Sequence, residues 1–136
     1  MQIILAACIA WFIAQAWKVL ANLYHNKKLD LKLMTASGGM PSSHTALVCA
    51  TSTKVGMLEG FNSSLFAVCV VFSLIVMYDA AGVRQAVGIQ AKLLNQLVED
   101  FYQTKHIDVE KVKEILGHTS FQVLVGMLVG IGVGLL

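Results

Sequence analysis

The sequence predicts an all-α fold, an integral membrane helical bundle of about four transmembrane helices with an amphipathic helical segment before the last span. Three observations predict it. Apolar residues make up 57% of the 136-residue chain and charged residues only 13%, against about 45–50% and about 25% in a soluble domain. The apolar residues gather in four runs, two of them close to the roughly 20 residues of a spanning helix. All Lys and Arg residues fall in loops or at helix ends. The length suits one domain, 1–136. A formal charge of +2 is too small to point to nucleic acid.

The first run, 3–23, reads as a retained span rather than a signal peptide, because neither a basic leader nor a small-residue cleavage site accompanies it. The second, 44–58, is short and carries Thr51, Ser52, Thr53 and Lys54, so it needs shielding inside the bundle. Gly38, Gly39 and Pro41, the only proline, mark the break before it, and Pro suits the first turn of a helix. Gly60, Asn62 and Ser63 turn the chain into the third run, 64–78. Along 80–98, Val83, Val87, Ala91, Leu94 and Val98 form a stripe at helical spacing, the pattern of an amphipathic helix lying on the membrane surface or packing on the bundle. A charged piece, 99–114, follows. In it Asp108 can cap a short helix that Gly117 ends. Thr119 and Gln122 read as a capping box opening the last run, 119–136. Cys8, Cys49 and Cys69 lie in apolar stretches without metal-ligand spacing and read as buried thiols.

The charges set a topology. Lys18, Lys27, Lys28 and Lys32 flank the first connection and Lys54 alone the second. Arg84, Lys92, Lys105, Lys111 and Lys113 flank the third. The positive-inside rule puts the first and third connections in the cytoplasm. The polar motifs then collect at one face: the segment 38–44 opens the second helix, Asp79 and Arg84 close the third, and His118 opens the last.

These residue types suit phosphate chemistry. In Ser37-Gly38-Gly39-Met40-Pro41-Ser42-Ser43-His44, glycines allow close backbone approach, and helix N–H groups and serine hydroxyls form an anion site. His44 could give a proton to a leaving oxygen, or be a spare histidine beside a cap. Arg84 could grip a phosphate with two hydrogen bonds, or snorkel at a helix end beside Asp79. A neutral His118 could attack phosphorus, or be an interfacial loop histidine. His25 and His106 stand outside any motif and read as solvated.

The run Gly39-Met40-Pro41-Ser42-Ser43-His44 resembles the Pro-Ser-(Gly/Ser)-His signature of the type 2 phosphatidic acid phosphatases. The wider set resembles that family's divergent branch: Met77-Tyr78-Asp79-Ala80-Ala81-Gly82-Val83-Arg84, Gln90-Ala91, Leu94-Asn95 and Leu116-Gly117-His118-Thr119. The resemblance implies a membrane phosphatase acting on a lipid phosphate or pyrophosphate without metal or cofactor. It makes His44 the general acid and His118 the nucleophile. Ser42, Ser43 and the backbone at Gly39 become the phosphate cradle, with Arg84 and Asp79 beside it and Lys18 or Lys32 standing in for the family's first-motif cation. The family's Lys-x6-Arg-Pro motif is absent, and its orienting Asp is here Gln122, which is also explained by capping. Those departures motivate an alternative, a non-catalytic membrane protein that binds an anionic headgroup or serves a structural role. Gly126, Gly130 and Gly134 recur every four residues and admit a close helix neighbour, within the bundle or across a homodimer.

Overall fold

Five α-helices carry the described residues. They are α1 (Gln2–Asn26), α2 (Ser43–Glu59), α3 (Ser64–Tyr78), α4 (Arg84–Tyr102) and α5 (Ser120–Leu135). The computed structural model describes residues 1–35, 39–102 and 117–136, with backbone alone at 100–102. The expected short helix at Asp108, together with Lys105, His106, Lys111 and Lys113, lies outside the described residues, as do Ser37 and Gly38.

Local chemistry sets the boundaries. Lys27 adopts the left-handed conformation (φ 52°) and donates its N–H to the Leu23 carbonyl at 3.0 Å, ending α1. Ser42 caps α2 and Ser63 caps α3. Pro41 therefore precedes the cap of α2 rather than sitting in its first turn, which corrects the sequence reading. Thr119 and Gln122 form the anticipated capping box of α5. Between α3 and α4 the chain does not break. A π-helical turn, Asp79–Val83, joins them into one continuous helix.

The packing is inverted relative to a soluble protein. The interior is built from small side chains: Ala10 and Ala14 of α1, Ala46 and Ala50 of α2. Large apolar side chains point outward, and the only buried residue of α3 is Ser73. Phe72 is 58% exposed and Ile75 60%. Water does not tolerate so large a continuous apolar surface on a monomer, whereas lipid tails do. Within lipid, small residues and interhelical hydrogen bonds hold helices together. The Ser52 and Ser73 hydroxyls, 2.7 Å apart, join α2 to α3 in this way. α1 and the continuous helix from Ser64 to Glu99 are long and apolar enough to cross a membrane, and α5 is apolar but shorter.

α2 is the central helix, packed on α1, α3 and α5, and 10 of its 17 residues are buried. That placement shelters its hydroxyls, as its polar sequence demanded. Thr51 and Ser52 also satisfy themselves on the Leu47 and Val48 carbonyls, at 2.9 and 3.0 Å. The Gly126, Gly130 and Gly134 face of α5 lies on α2. A Cβ at Gly126 would meet the Ser42 backbone, one at Gly130 the Ala46 carbonyl, and one at Gly134 the Thr53 side chain. The close neighbour anticipated for this face is therefore α2 of the same chain.

Gly130→Leu should destabilise the folded protein by about 1–3 kcal/mol or more, because the rigid Ala46 carbonyl cannot yield. Thermal unfolding in detergent reads this, with Gly132→Leu as control, since Gly132 faces open space. Equal melting of the two variants would refute the packing.

A further sequence expectation is corrected. Cys8 is exposed and Cys69 half-buried, so only Cys49 is a buried thiol. The buried line of α4 runs through Gly88, Ala91 and Asn95, while Val83, Val87 and Leu94 are about half exposed. An apolar stripe marks the protein-facing side only where the alternative is water, and in lipid it marks neither side.

Candidate functional site

The start of α2 docks on the first turn of α5. The Ser42 N–H donates to the Gln122 carbonyl at 3.1 Å, and Gly126 lets the two backbones approach. Ser42 is fully buried, and its hydroxyl accepts from Thr45 Oγ1 at 3.0 Å as well as capping the helix. Its role is to order the turn. Ser43 faces α1, where its Oγ lies 3.4 Å from the Lys18 ammonium. The aliphatic stem of Lys18 runs along Gly39, where a Cβ would sit 3.6 Å from Lys18 Cδ. Gly39 itself has φ +76°, a conformation that L side chains rarely adopt. Lys18, only 7% exposed, thus brings a buried cation to the N-terminal end of α2. That end is also a helix N-terminus, whose dipole favours an anion.

The segment before α5 brings in His118. Its backbone N–H donates to the Ala80 carbonyl of the π-helical turn at 3.1 Å. Gly117 lies so close to the Gln85 N and Arg84 carbonyl carbon that any side chain there would collide with backbone. The strap 117–118 is thereby pinned across the α3–α4 junction, and Arg84 reaches the site although it stands 34 residues before His118 in sequence. π-helical turns of this kind recur at functional sites. Here the turn separates Asp79 from Arg84, whose Nε is 2.8 Å from Asp79 Oδ2. Both side chains are nearly half exposed, so the pair is open to exchange for another anion.

His118 is 4% exposed, and its Nδ1 lies 3.2 Å from Gln122 Oε1. The same Oε1 accepts the Thr119 backbone N–H at 3.1 Å. A backbone N–H requires an acceptor, so the atom facing it is the amide oxygen. His118 Nδ1 must then carry the proton, and Nε2 is left with its lone pair. Gln122 therefore caps α5 and orients the imidazole with one atom, uniting two roles that its sequence position left as alternatives.

Burial holds the His118 pKa below its ordinary value. The Gln122 hydrogen bond opposes that shift, and the positive charges of Lys18, His44 and Arg84 add to it. The ring is thus kept neutral. His44, exposed in the first turn of α2, sits within the fields of Arg84, Lys18 and Asp79. His44, His118, Lys18, Arg84 and Asp79 therefore gather at one end of the bundle. Lys32 does not join them. It sits exposed on the 3-10 turn Leu31–Met34, and its charge is not among those acting on either histidine. His25 is exposed at the end of α1, edge-on to Tyr24. Among the described residues no group of three His, Cys, Asp or Glu side chains is placed to hold a metal ion. Sequence reasoning missed the Ala80 carbonyl and the close approach of Gly117. A glycine directly before a histidine was the one signal of the latter.

Gln122→Asp should raise the His118 pKa, because a carboxylate beside Nδ1–H stabilises the imidazolium. The acid limb of any His118-dependent rate should move to higher pH, and an unmoved limb would show that Oε1 does not hold the ring. Folding is linked with a definite sign. The unfolded chain takes up the His118 proton near pH ~6.5, while the native chain resists until lower pH. This residue's contribution to stability therefore declines as pH falls through that window.

The family model described as the Divergent PAP2 family matches residues 1–133. A Bacillus subtilis (strain 168) protein called uncharacterized membrane protein YuiD is 43% identical over 139 residues, covering 94% of this chain and 88% of that one. No solved structure matches significantly. With the motif order, the all-helical fold and this coverage in agreement, the chain belongs to the divergent PAP2 family of membrane proteins.

Proposed function

We propose that this protein is a multi-pass membrane phosphatase that hydrolyses a lipid phosphate or pyrophosphate at the cytoplasmic interface. The observation that carries the proposal is the pair of imidazoles from different segments under shared positive charge, one of them held neutral with Nε2 free. In this reading α1, α2, α3 and α5 cross the membrane alternately. The connections rich in Lys and Arg stay inside.

The substrate phosphoryl group sits against the first N–H groups of α2, the Lys18 ammonium, the Ser43 hydroxyl and the backbone at Gly39. Arg84 exchanges Asp79 for a phosphate oxygen. His118 Nε2 attacks phosphorus while protonated His44 gives its proton to the departing oxygen, so the P–O bond breaks as the N–P bond forms. The alcohol or phosphate leaves protonated. Neutral His44 then takes a proton from water, whose oxygen attacks the phosphohistidine, and phosphate and free His118 are released. Lys18, Arg84 and the helix N–H groups supply the positive field throughout.

Phosphate release from lipid phosphates by the purified protein tests the proposal. Wild-type turnover no higher than that of His118→Ala would end it. One observation favours a second reading, binding without turnover: Gln122 brings no negative charge to stabilise an imidazolium. In that case labelled phospholipid binds without hydrolysis, and binding is lost in Arg84→Ala.

A further inference from the structure

An apolar groove of about 360 Å³ runs between α3 and α5 over the face of α2. Met77 and Met127 line one end, Ile131 the α5 wall, Ser73 the floor, and Phe61 and Phe66 the other end. The near end adjoins the site along both walls. Met77 stands two residues before Asp79, and Met127 follows Gly126, which touches Ser42. The far end is shut by an edge-to-face pair, the Phe61 and Phe66 rings 5.2 Å apart and seated over Gly56.

Its lining is almost wholly apolar, with Cys49, Ser52, Thr53 and Ser73 as the exceptions. The Ser52 and Ser73 hydroxyls lie 2.7 Å apart and are turned to the carbonyls of Val48 and Cys69. The occupant must therefore be hydrocarbon. The volume is at the low end of the roughly 300–1,000 Å³ of small-molecule sites, room for one chain rather than two. From Phe66 to Met77 the groove follows eleven residues of helix, about 16 Å at 1.5 Å per residue. That is about half of a ~30 Å hydrocarbon core, the depth available to a chain of one leaflet.

We infer that this groove seats a single hydrocarbon chain of the phosphorylated lipid, with Phe61 and Phe66 as the end stop that sets chain length. The inference rests on the phosphatase reading for the headgroup, but the groove itself is independent of turnover. A chain entering from Met77 keeps its phosphate at the Lys18–Arg84 end while its tail lies along Ile131. Ligands that overrun the aromatic pair must displace it or bend out into the bilayer.

The test uses the full-length protein in lipid nanodiscs and a lipid phosphate with a diazirine at the chain terminus. Photolabel should fall on peptides within 61–77 and 127–135, in the wild type and in His118→Ala alike. Ile131→Trp should cut that label about tenfold, as should Leu74→Trp on the opposite wall, while phosphate release from a short-chain substrate is unchanged. Phe61→Ala should shift the preferred chain toward longer homologues by about tenfold, the low end of what a misplaced methylene is worth in an apolar site. Label on α1, or spread evenly over the outward faces of α1, α3 and α5, would overturn the inference. So would crosslinks joining two protein copies across the groove, which would make a second chain its occupant. Failure of the phosphatase reading shows separately, as absence of phosphate release at every chain length.

Discussion

His118→Ala is expected to lower phosphate release from a lipid phosphate by at least about 10⁴-fold, the scale of removing a nucleophile that acts through a covalent intermediate. The size follows from the site's construction. His118 is buried, its Nδ1 is committed to Gln122, and its Nε2 is the lone pair left for phosphorus. His44 cannot replace it, since it is exposed on another helix and serves as the acid in the proposed mechanism. His118→Ala leaves the Ala80 anchor intact because the contact there is made by backbone. Helical content and melting temperature should therefore stay near wild type, and the rate should not. Acid quenching during turnover of a labelled substrate should trap phosphate on the wild-type protein and none on the variant. A variant that retains more than a few per cent of turnover would transfer the nucleophile's role to another group.

The elements were more legible in the sequence than their faces were. The bounds of α3 fall where the Gly60–Ser63 turn and the end of the apolar run put them, because a serine cap is a local signal. The capping box of α5 was local too, as was the isolation of His25. The faces of α4 were not legible. The sequence left them open between the membrane surface and the bundle, because this interior is built from Ala, Gly and Ser, and lipid accepts Val83, Val87 and Leu94 as readily as protein does. The π-helical turn compounds this by shifting the helical register after Asp79. In the site, the motif around His44 was plain, and His118 was found by resemblance. Arg84 came to His118 through Gly117, a contact between backbones that leaves no pattern in side-chain chemistry. Lys32 was, like Lys18, a stand-in for the absent Lys-x6-Arg-Pro motif, and the 3-10 turn carries it away from the site.

Lys18 separates activity from stability most sharply. Lys18→Met should reduce turnover by about 10²–10³-fold, as loss of a preorganised charge at a transferring phosphoryl group does. The same change should leave the fold at least as stable. Lys18 is 7% exposed, and the described contact of its ammonium is the Ser43 hydroxyl at 3.4 Å, a long hydrogen bond for a buried cation. Burying a charge without an opposite charge is costly, and methionine keeps much of the stem that lies along Gly39. Melting in detergent should thus rise or hold while kcat/KM falls. Lys18→Arg should fall between the two, because the forked guanidinium restores charge but not the fit beside Gly39. Phosphate or vanadate, added without substrate, should raise the melting temperature of the wild type and not of Lys18→Met, since an anion that neutralises the buried ammonium binds only the native chain. A Lys18→Met protein that is both less stable and still fully active would show the residue to be a structural strut between α1 and α2, and the phosphate site would have to be rebuilt around Arg84 alone.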